Sequence, residues 1–528
     1  MIGEGSQLAN DFWILLAMVI YFAAMLSIGF IYSKRSNSSS KEYFAGGRGV
    51  GPWLTALSAE ASDMSGWLLM GLPGLAYFTG AADPMWTAIG LALGTYLNWK
   101  LVARRLRRYS VVAGDAITIP DFFAKRFHDK KGVISTIAAV IILVFFSVYV
   151  GSCFVTVGKL FATLFGFDYH VMMIIGAVVV FVYTVVGGYL SVVMTDFIQG
   201  MLMFFALAVV FIGTVASAGG VDNTVEFLRA IPGYLSGTPS DYGIITIISM
   251  LAWGLGYFGM PQVLVRFLSI RSVEEVRKSR IIATSWCVIS LGCAVCIGLV
   301  GRAMMPTELL TSTDAETIFI VLAQTLLPSF MCGVVVSGIF AASMSSSSSY
   351  LIIGASAMGE NIFRGLLHRK ATDKQVMIVA RVTLVVMFLF GILVAYDQNS
   401  SIFQVVSYAW AGLGASFGPL MLCSLYWRRA NKAGAVAGML SGTAAVLLWH
   451  NLVKPLGGVF AIYELLPAFI ISLLFIVVVS LLTAKPNKRM LYEFDHYMDD
   501  PLPGTLPSGT VLVDEPMEAM ESEVRSGK

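Results

Sequence analysis

SAEASDMSGWLLMGLPG, residues 58–74, is the stretch that decides the fold of this chain. It places two acidic residues, Glu60 and Asp63, in a segment that is otherwise apolar or built of small residues. Gly66, Gly71 and Pro73 follow at positions where they can interrupt a helix. In a bilayer, irregular backbone and carboxyl groups are tolerated only where they are buried in protein or line a cavity. The stretch therefore predicts a broken membrane helix beside a polar site.

The composition of the whole chain agrees with a bilayer as solvent. Of the 528 residues, 57% are hydrophobic and 13% are charged, and the mean hydropathy is +0.79. A soluble protein of this size would have to expose large apolar patches. The net charge of +3 gives no indication of nucleic-acid binding. The six cysteines lie in apolar stretches, which favours buried thiols over disulfides or a metal site.

Spans of roughly 20 apolar residues predict about 13 transmembrane helices and no strands. They are expected near residues 8–33, 51–79, 82–104, 133–163, 169–190, 194–217, 242–270, 279–302, 329–358, 376–396, 401–427, 433–451 and 460–483.

The basic residues give an independent check on these spans. Of the 35 Lys and Arg, 29 fall in every second connection and in the segment after residue 484. Short loops rich in Lys and Arg are typical of the cytoplasmic side. The pattern predicts an odd number of helices, with the N-terminus outside and the C-terminus in the cytoplasm. Arg266 and Arg381 are placed near cytoplasmic helix ends.

We expect a single transmembrane domain over residues 1–484. Residues 485–528 are expected to form a cytoplasmic tail. That tail is rich in Pro, Gly and acidic residues and has little apolar surface, so it is predicted to be disordered.

A second interrupted helix is predicted at residues 253–261, with the sequence WGLGYFGMP. It lies five helices after the first, and five is an odd number, so the two helices run in opposite directions. This spacing predicts inverted repeats over about 51–217 and 242–427, with the polar site between them. The alternative is that Gly and Pro serve only close helix packing, as they often do in membranes.

The polar groups at these breaks suit a cation. Unwound backbone at residues such as Ala61 and Met64 exposes carbonyl oxygens, which are good ligands for sodium. The ninth helix adds five consecutive serines, residues 345–349, deep in an apolar span. Most serines in a helix return their hydroxyl to the i−4 carbonyl, so only one or two can face a neighbour. Asp63 is a functional candidate because a carboxylate within the membrane is costly.

Four segments carry a resemblance to the sodium:solute symporter family, and within it to bacterial sodium/proline symporters. They are Ser58–Gly74, Leu91–Lys100, Trp253–Pro261 and Ser407–Pro419, and the likeness extends over about residues 10–480. The resemblance implies the inverted five-helix repeats of the leucine-transporter type, with one extra N-terminal and two extra C-terminal helices. It also implies that the protein is not an enzyme and carries no cofactor beyond the coupling ion, Na⁺.

Matched residue by residue, the resemblance implies two binding sites. The sodium site is formed by the carbonyls of Ala61, Met64 and Ala342 and the hydroxyls of Ser345 and Ser346. The L-proline site draws on Ser65, Gly66, Tyr149, Trp253, Tyr257 and Pro261. Aromatic faces and free amides of broken helices suit a zwitterion with an apolar ring.

Four charged residues match family positions with a coupling or gating role: Asp63, Arg48, Asp196 and Arg381. Anchoring or snorkelling charges are the alternative for the last three. One departure concerns the substrate, because Met260 stands where the family has glutamine. The substrate range is therefore left open.

The expected function is sodium-coupled import of L-proline by alternating access in the inner membrane of a bacterium. The alternatives are import of another small solute, such as a different amino acid, a sugar or a monocarboxylate, and solute sensing. A sensor would normally add a signalling domain, for which the polar tail leaves no room. The spans contain no metal-ligand spacing or paired nucleophile and base of a membrane enzyme.

Overall fold

The computed structural model describes residues 4–36, 48–240 and 242–499, and the regular secondary structure within these ranges is helical, with one isolated β-bridge. The first six long segments are α1 Glu4–Ser36, α2 Pro52–Asp63 with Trp67–Gly71 and Leu72–Thr79, α3 Ala82–Asn98 continuing to Val112, α4 Val133–Phe165, α5 Tyr169–Val185 and α6 Gly187–Ser217. The next eight are α7 Ile244–Leu251 with Ala252–Gly259 and Pro261–Ser269, α8 Val276–Met304, α9 Ser329–Ser356 continuing to Leu367, α10 Asp373–Val394, α11 Ile402–Tyr426, α12 Lys432–Leu448 continuing to Leu456, α13 Leu465–Leu482 and α14 Lys488–His496.

Each predicted span coincides with one of the segments α1–α13. Within the described ranges, nine helices are long and apolar enough to cross a membrane, and the bent pair of α7 makes ten. The remaining segments are interrupted, short or more polar, as at α2 and α5. The all-helical membrane fold is thus confirmed, and the count of thirteen stays a prediction.

The two broken helices run in opposite directions, as the repeat prediction requires. Val50, just before α2, pairs with Ile270, just after α7, through the single β-bridge. At the other end, Tyr234, which precedes α7, donates its hydroxyl to Ala76 O near the end of α2 at 2.9 Å. The beginning of one helix therefore lies beside the end of the other.

Helices α2, α7, α9 and α11 form the centre of the molecule. α9 packs against α1, α4 and α6, and α11 packs against α4, α12, α13 and the middle segment of α7. At the crossing of α3 and α7, Gly94 lies directly on the backbone of Gly254, where a Cβ atom would overlap the carbonyl group. Such a close contact holds the segments of α7 in place, although each segment is shorter than a full membrane helix.

Helices α5 and α6 follow each other with almost no connection. The helical backbone is interrupted at Gly188, the second residue of α6, whose φ is 70° and ψ is 176°. A side chain there would be strained, so glycine is the natural residue at this joint.

The prediction of a disordered tail is wrong for its first part. α14 follows Asn487, whose side chain accepts a hydrogen bond from Met490 N at 2.8 Å and caps the helix. After α14, Tyr497 stacks on Tyr109 of α3 at a ring distance of 4.5 Å. The apolar and aromatic residues of this segment are too few to fold alone, but they find a surface on the transmembrane domain. Residues 500–528 lie outside the described residues.

Candidate functional site

The first break lies where α2 loses its helical hydrogen bonds. Met64 N still donates to Glu60 O at 2.8 Å, but Ser65 N turns to Asp63 O at 3.0 Å and Leu68 N to Ser65 O at 3.0 Å. In a regular helix these two amides would bond the carbonyls of Ala61 and Met64. The carbonyl oxygens of Ala61 and Met64 are thereby released from these two hydrogen bonds.

Two hydroxyls of α9 meet the released carbonyl of Ala61. Ser345 Oγ lies 2.7 Å from Ala61 O and 3.1 Å from Ala342 O, and Ser346 Oγ lies 3.5 Å from Ala61 O. All these residues are buried. The structure therefore brings four of the five predicted sodium ligands into direct contact, and the fifth, Met64, is at the adjacent turn of the same break.

The other serines of the run behave differently. Ser343, Ser347 and Ser348 return their hydroxyls to carbonyls of their own helix, and Ser349 instead accepts a hydrogen bond from Arg266 Nη2 at 2.7 Å. Helical rotation thus decides which hydroxyls reach another helix.

Asp63 lies between the released carbonyls and is fully buried. Its Oδ1 accepts a hydrogen bond from Gln262 Nε2 of α7 at 3.0 Å. Its Oδ2 and the Oε2 of buried Glu60 make no hydrogen bond with any described residue. The break therefore contains carboxylate oxygens that accept no hydrogen bond, and such oxygens attract a cation.

Aromatic side chains surround the middle segment of α7. The Trp253 ring stacks on Tyr463 at 4.9 Å and lies 5.0 Å from Phe403. Tyr257 meets Trp410 edge to face at 5.1 Å, and Trp410 Nε1 donates to Trp253 O at 2.9 Å. Trp253 and Tyr257 are both buried, and the hydroxyl of Tyr257 has no hydrogen-bond partner in the described ranges. The cluster therefore presents flat apolar ring faces and the hydroxyl of Tyr257.

The remaining predicted substrate residues are close to the α2 break, with Pro261 at the start of the last segment of α7. Tyr149 of α4 donates its hydroxyl to Asp63 O at 3.4 Å. Ser65 is 1% exposed and its hydroxyl has no partner among the described residues. A Cβ atom on Gly66 would overlap the side chain of Thr156. Glycine is therefore required for the break to approach α4.

A buried ion pair on one side of the break was missed as a pair by the sequence prediction. Arg266 Nη2 of α7 lies 3.0 Å from Asp196 Oδ2 of α6, and the exposed fractions of the two side chains are 1% and 0%. Ser58 of α2 donates to the same carboxylate at 2.7 Å and accepts from Arg266 Nε at 3.0 Å. Arg266 lies in the last turn of α7, where it is buried in this ion pair. Lone charges of opposite sign within apolar spans could have suggested the pairing.

A second buried ion pair lies toward the opposite ends of the helices. Lys159 Nζ of α4 contacts Glu316 Oε2 at 2.7 Å. The same carboxylate accepts the backbone amides of Ile402 and Phe403 at 3.1 and 3.2 Å, at the start of α11. A carboxylate at a helix N-terminus is stabilised by the free amides and the helix dipole. The two ion pairs therefore lie on opposite sides of the α2 break, one at Ser58 and the other at Gly74.

Arg48 and Arg381 are not brought to the break. Arg48 has a φ of 55° and pairs with Asp115 at 2.9 Å in a connection outside the spans. Arg381 is exposed on α10. Neither contributes a side chain to the buried site in this conformation.

Comparison with known proteins places this geometry in context. The sodium:solute symporter family model matches residues 43–442. The osmoregulated proline transporter OpuE of Bacillus subtilis (strain 168) is 42% identical over 477 residues, which cover 90% of this chain and 96% of that protein. A sodium/proline symporter of Staphylococcus aureus (strain JH9) is 43% identical over 489 residues, which cover 91% of this chain and 95% of that protein.

Solved structures show the same fold. A substrate-bound, outward-open Na⁺-coupled sialic acid symporter superposes with a TM-score of 0.75 at 22% identity, over 90% of this chain and 99% of that one. Mhp1, a nucleobase-cation-symport-1 family transporter in a closed conformation, gives a TM-score of 0.54 at 13% identity, over 88% and 99% of the two chains. The leucine-transporter-type architecture predicted from the sequence is thus confirmed.

Proposed function

Because this chain belongs to the sodium:solute symporter family, we propose that it couples sodium entry to the import of L-proline. The observation that carries the proposal is the meeting of Ser345 Oγ with the released carbonyl of Ala61, which creates a site of neutral oxygens between α2 and α9. Proline as the solute is supported by the names of the two relatives described above, both of which match nearly the whole chain.

We assign sodium to Ala61, Met64, Ala342, Ser345 and Ser346. We assign proline to Ser65, Gly66, Tyr149, Trp253, Tyr257 and Pro261. The two sets share the break of α2, so an ion held at Ala61 and Met64 fixes the backbone that presents Ser65 to the substrate. Coupling of this kind is reciprocal, and each ligand tightens the binding of the other.

Transport then follows by alternating access. Sodium from outside stabilises the state in which the proline site is formed, and proline favours closure on that side. Opening toward the cytoplasm releases both ligands where sodium is scarce. The membrane potential adds about 2.3 kcal/mol per charge for each 100 mV.

We place the protein in the bacterial inner membrane with its N-terminus outside and its C-terminus in the cytoplasm. The strong excess of Lys and Arg in alternate connections supports this orientation. Residues 1–484 form the transporter domain in this proposal, with one repeat over about 51–217 and the other over about 242–427.

Labelled L-proline uptake into proteoliposomes tests the function. An inward sodium gradient is expected to drive accumulation that disappears when sodium is equal on both sides. Competition by unlabelled amino acids, sugars and monocarboxylates measures the solute range, which the methionine at position 260 leaves open. Accumulation of a different solute in place of proline contradicts the assigned substrate, and uptake independent of sodium contradicts the coupling ion.

Trp253→Ala is expected to raise the proline KM about tenfold, or roughly 1.4 kcal/mol, the scale of a desolvated cation–aromatic contact. Its effect on the sodium concentration for half-maximal uptake is expected to be smaller, because Trp253 lies at the aromatic cluster and not at the released carbonyls. Trp449→Ala is the control, because Trp449 is half-buried on α12. It should leave the proline KM and the sodium concentration for half-maximal uptake unchanged. An equal loss of proline and sodium affinity in Trp253→Ala would point to a general folding defect.

A further inference from the structure

Gln262 joins the two broken helices at their breaks. It is the second residue of the last segment of α7 and is fully buried. Its Nε2 donates to Asp63 Oδ1 of α2 at 3.0 Å. Asp63 lies next to Met64 and two residues after Ala61, and the carbonyls of these two residues are assigned to sodium. The hydrogen bond therefore fixes the backbone of the proposed ion site from the side of the opposite repeat.

The same glutamine is also linked to the buried ion pair. Its backbone carbonyl oxygen accepts a hydrogen bond from Arg266 Nη1 at 2.9 Å. Arg266 pairs with Asp196 of α6 at 3.0 Å and donates to Ser349 of α9 at 2.7 Å. A continuous path of hydrogen bonds thus runs from the break of α2 through α7 to α6 and α9.

Gln262 Nε2 donates to Asp63 Oδ1 at 3.0 Å. The Tyr257 hydroxyl is the other polar group that interacts with this carboxylate. Loss of the glutamine amide would remove the donor to Oδ1 of a buried carboxylate, and a buried acceptor that loses its partner favours rearrangement. Any movement of Asp63 displaces the carbonyls on either side of it.

We propose that Gln262 is a positioning residue that holds Asp63, and with it the sodium-ligating carbonyls of α2, in register with the Arg266–Asp196 pair. Sodium binding at the break is thereby coupled to the packing of α6, α7 and α9 on the side of that ion pair. This inference rests on the sodium site of the proposed function, but not on the identity of the transported solute.

Gln262→Leu tests the proposal because it removes the amide and keeps most of the volume. Gln262→His keeps an N–H donor of similar reach, and Gln262→Asn keeps an amide that is one methylene too short. Gln199→Leu is the matched control. Gln199 is equally buried, but its amide donates to Tyr21 of α1 at 3.0 Å and not to Asp63.

Sodium binding is measured first without proline, by titrating the intrinsic tryptophan fluorescence of each purified protein in detergent. Proteoliposome uptake then gives the sodium dependence and the proline KM at saturating sodium. Gln262→Leu is expected to raise the sodium concentration for half-saturation about tenfold, a typical coupling between linked sites. The proline KM at saturating sodium should change much less, Gln262→His should recover most of the sodium affinity, and Gln199→Leu should resemble the wild type.

Wild-type sodium affinity in Gln262→Leu overturns the proposal. The proposal is also overturned if Gln262→Leu weakens sodium and proline binding equally and Gln262→His restores neither. If Gln262→Leu aggregates, the sodium affinities of the other two variants decide. The proposal requires Gln262→His to bind sodium more tightly than Gln262→Asn. A wild-type protein that responds to sodium without importing proline would contradict the proposed substrate and leave this test intact.

Discussion

Ser345→Ala is expected to raise the sodium concentration for half-maximal proline uptake at least tenfold, which corresponds to about 1.4 kcal/mol. Ser345 Oγ lies 2.7 Å from Ala61 O and 3.1 Å from Ala342 O, so the hydroxyl sits between two carbonyls assigned to the ion. Its removal takes away one of the oxygens assigned to the ion. The measurement is uptake of labelled proline at sodium concentrations from far below to far above the half-maximal value.

Neighbouring serines supply the controls for this experiment. Ser346→Ala should have a smaller effect, because its hydroxyl is 3.5 Å from Ala61 O. Ser347→Ala should have none, since that hydroxyl is bonded to Ser343 O within α9. The maximal uptake rate at high sodium is expected to stay close to the wild-type value in Ser347→Ala. Unchanged sodium dependence in both Ser345→Ala and Ser346→Ala would remove the assigned site.

Much of the architecture is predictable from the sequence, because a bilayer imposes strong rules on hydropathy and charge. Apolar spans, basic alternate loops and the interrupted stretches at Asp63 and Gly259 predict the helices, the two breaks and their opposite direction. α14 was missed for a physical reason. Its order depends on contacts with the transmembrane domain, such as the stacking of Tyr497 on Tyr109, and composition alone does not reveal such contacts.

The site is only partly predictable, because residue types are visible in the sequence but helical rotation is not. The serine run predicts hydroxyls in the membrane, yet only the structure separates Ser345 from Ser347. Gln262 has no sequence signal of its own, since its partner Asp63 is 199 residues away in the chain. Lys159 and Glu316 are similarly distant, and each alone resembles an ordinary charge at a helix end.

The assigned roles of Arg48 and Arg381 depend on conformation. Both lie away from the break in this structure, and Arg381 is exposed. A residue that acts in only one step of an alternating-access cycle need not touch the site in every step. The two assignments therefore stay predictions.

Arg266→Met is expected to destabilise the protein by about 3–5 kcal/mol, because it leaves the Asp196 carboxylate buried without a cation. Asp196→Leu should cost a similar amount, since it strands a guanidinium that is 1% exposed. The double variant should be more stable than either single variant, because it buries no uncompensated charge. Apparent unfolding of the purified protein in detergent, followed against temperature or denaturant, measures all three. Arg229→Met, at an exposed position, is the control for loss of an arginine.

Two outcomes of this cycle carry different conclusions. If the loss in the double variant equals the sum of the single losses, Arg266 and Asp196 are not energetically coupled and the pair does not hold α6 against α7. If the double variant recovers stability, its transport separates folding from mechanism. If a stable double variant binds sodium but no longer accumulates proline, the Arg266–Asp196 pair is needed to close that side of the transporter. If the double variant accumulates proline as the wild type does, the pair contributes only to the stability of the fold, because apolar residues then replace it without loss of coupling.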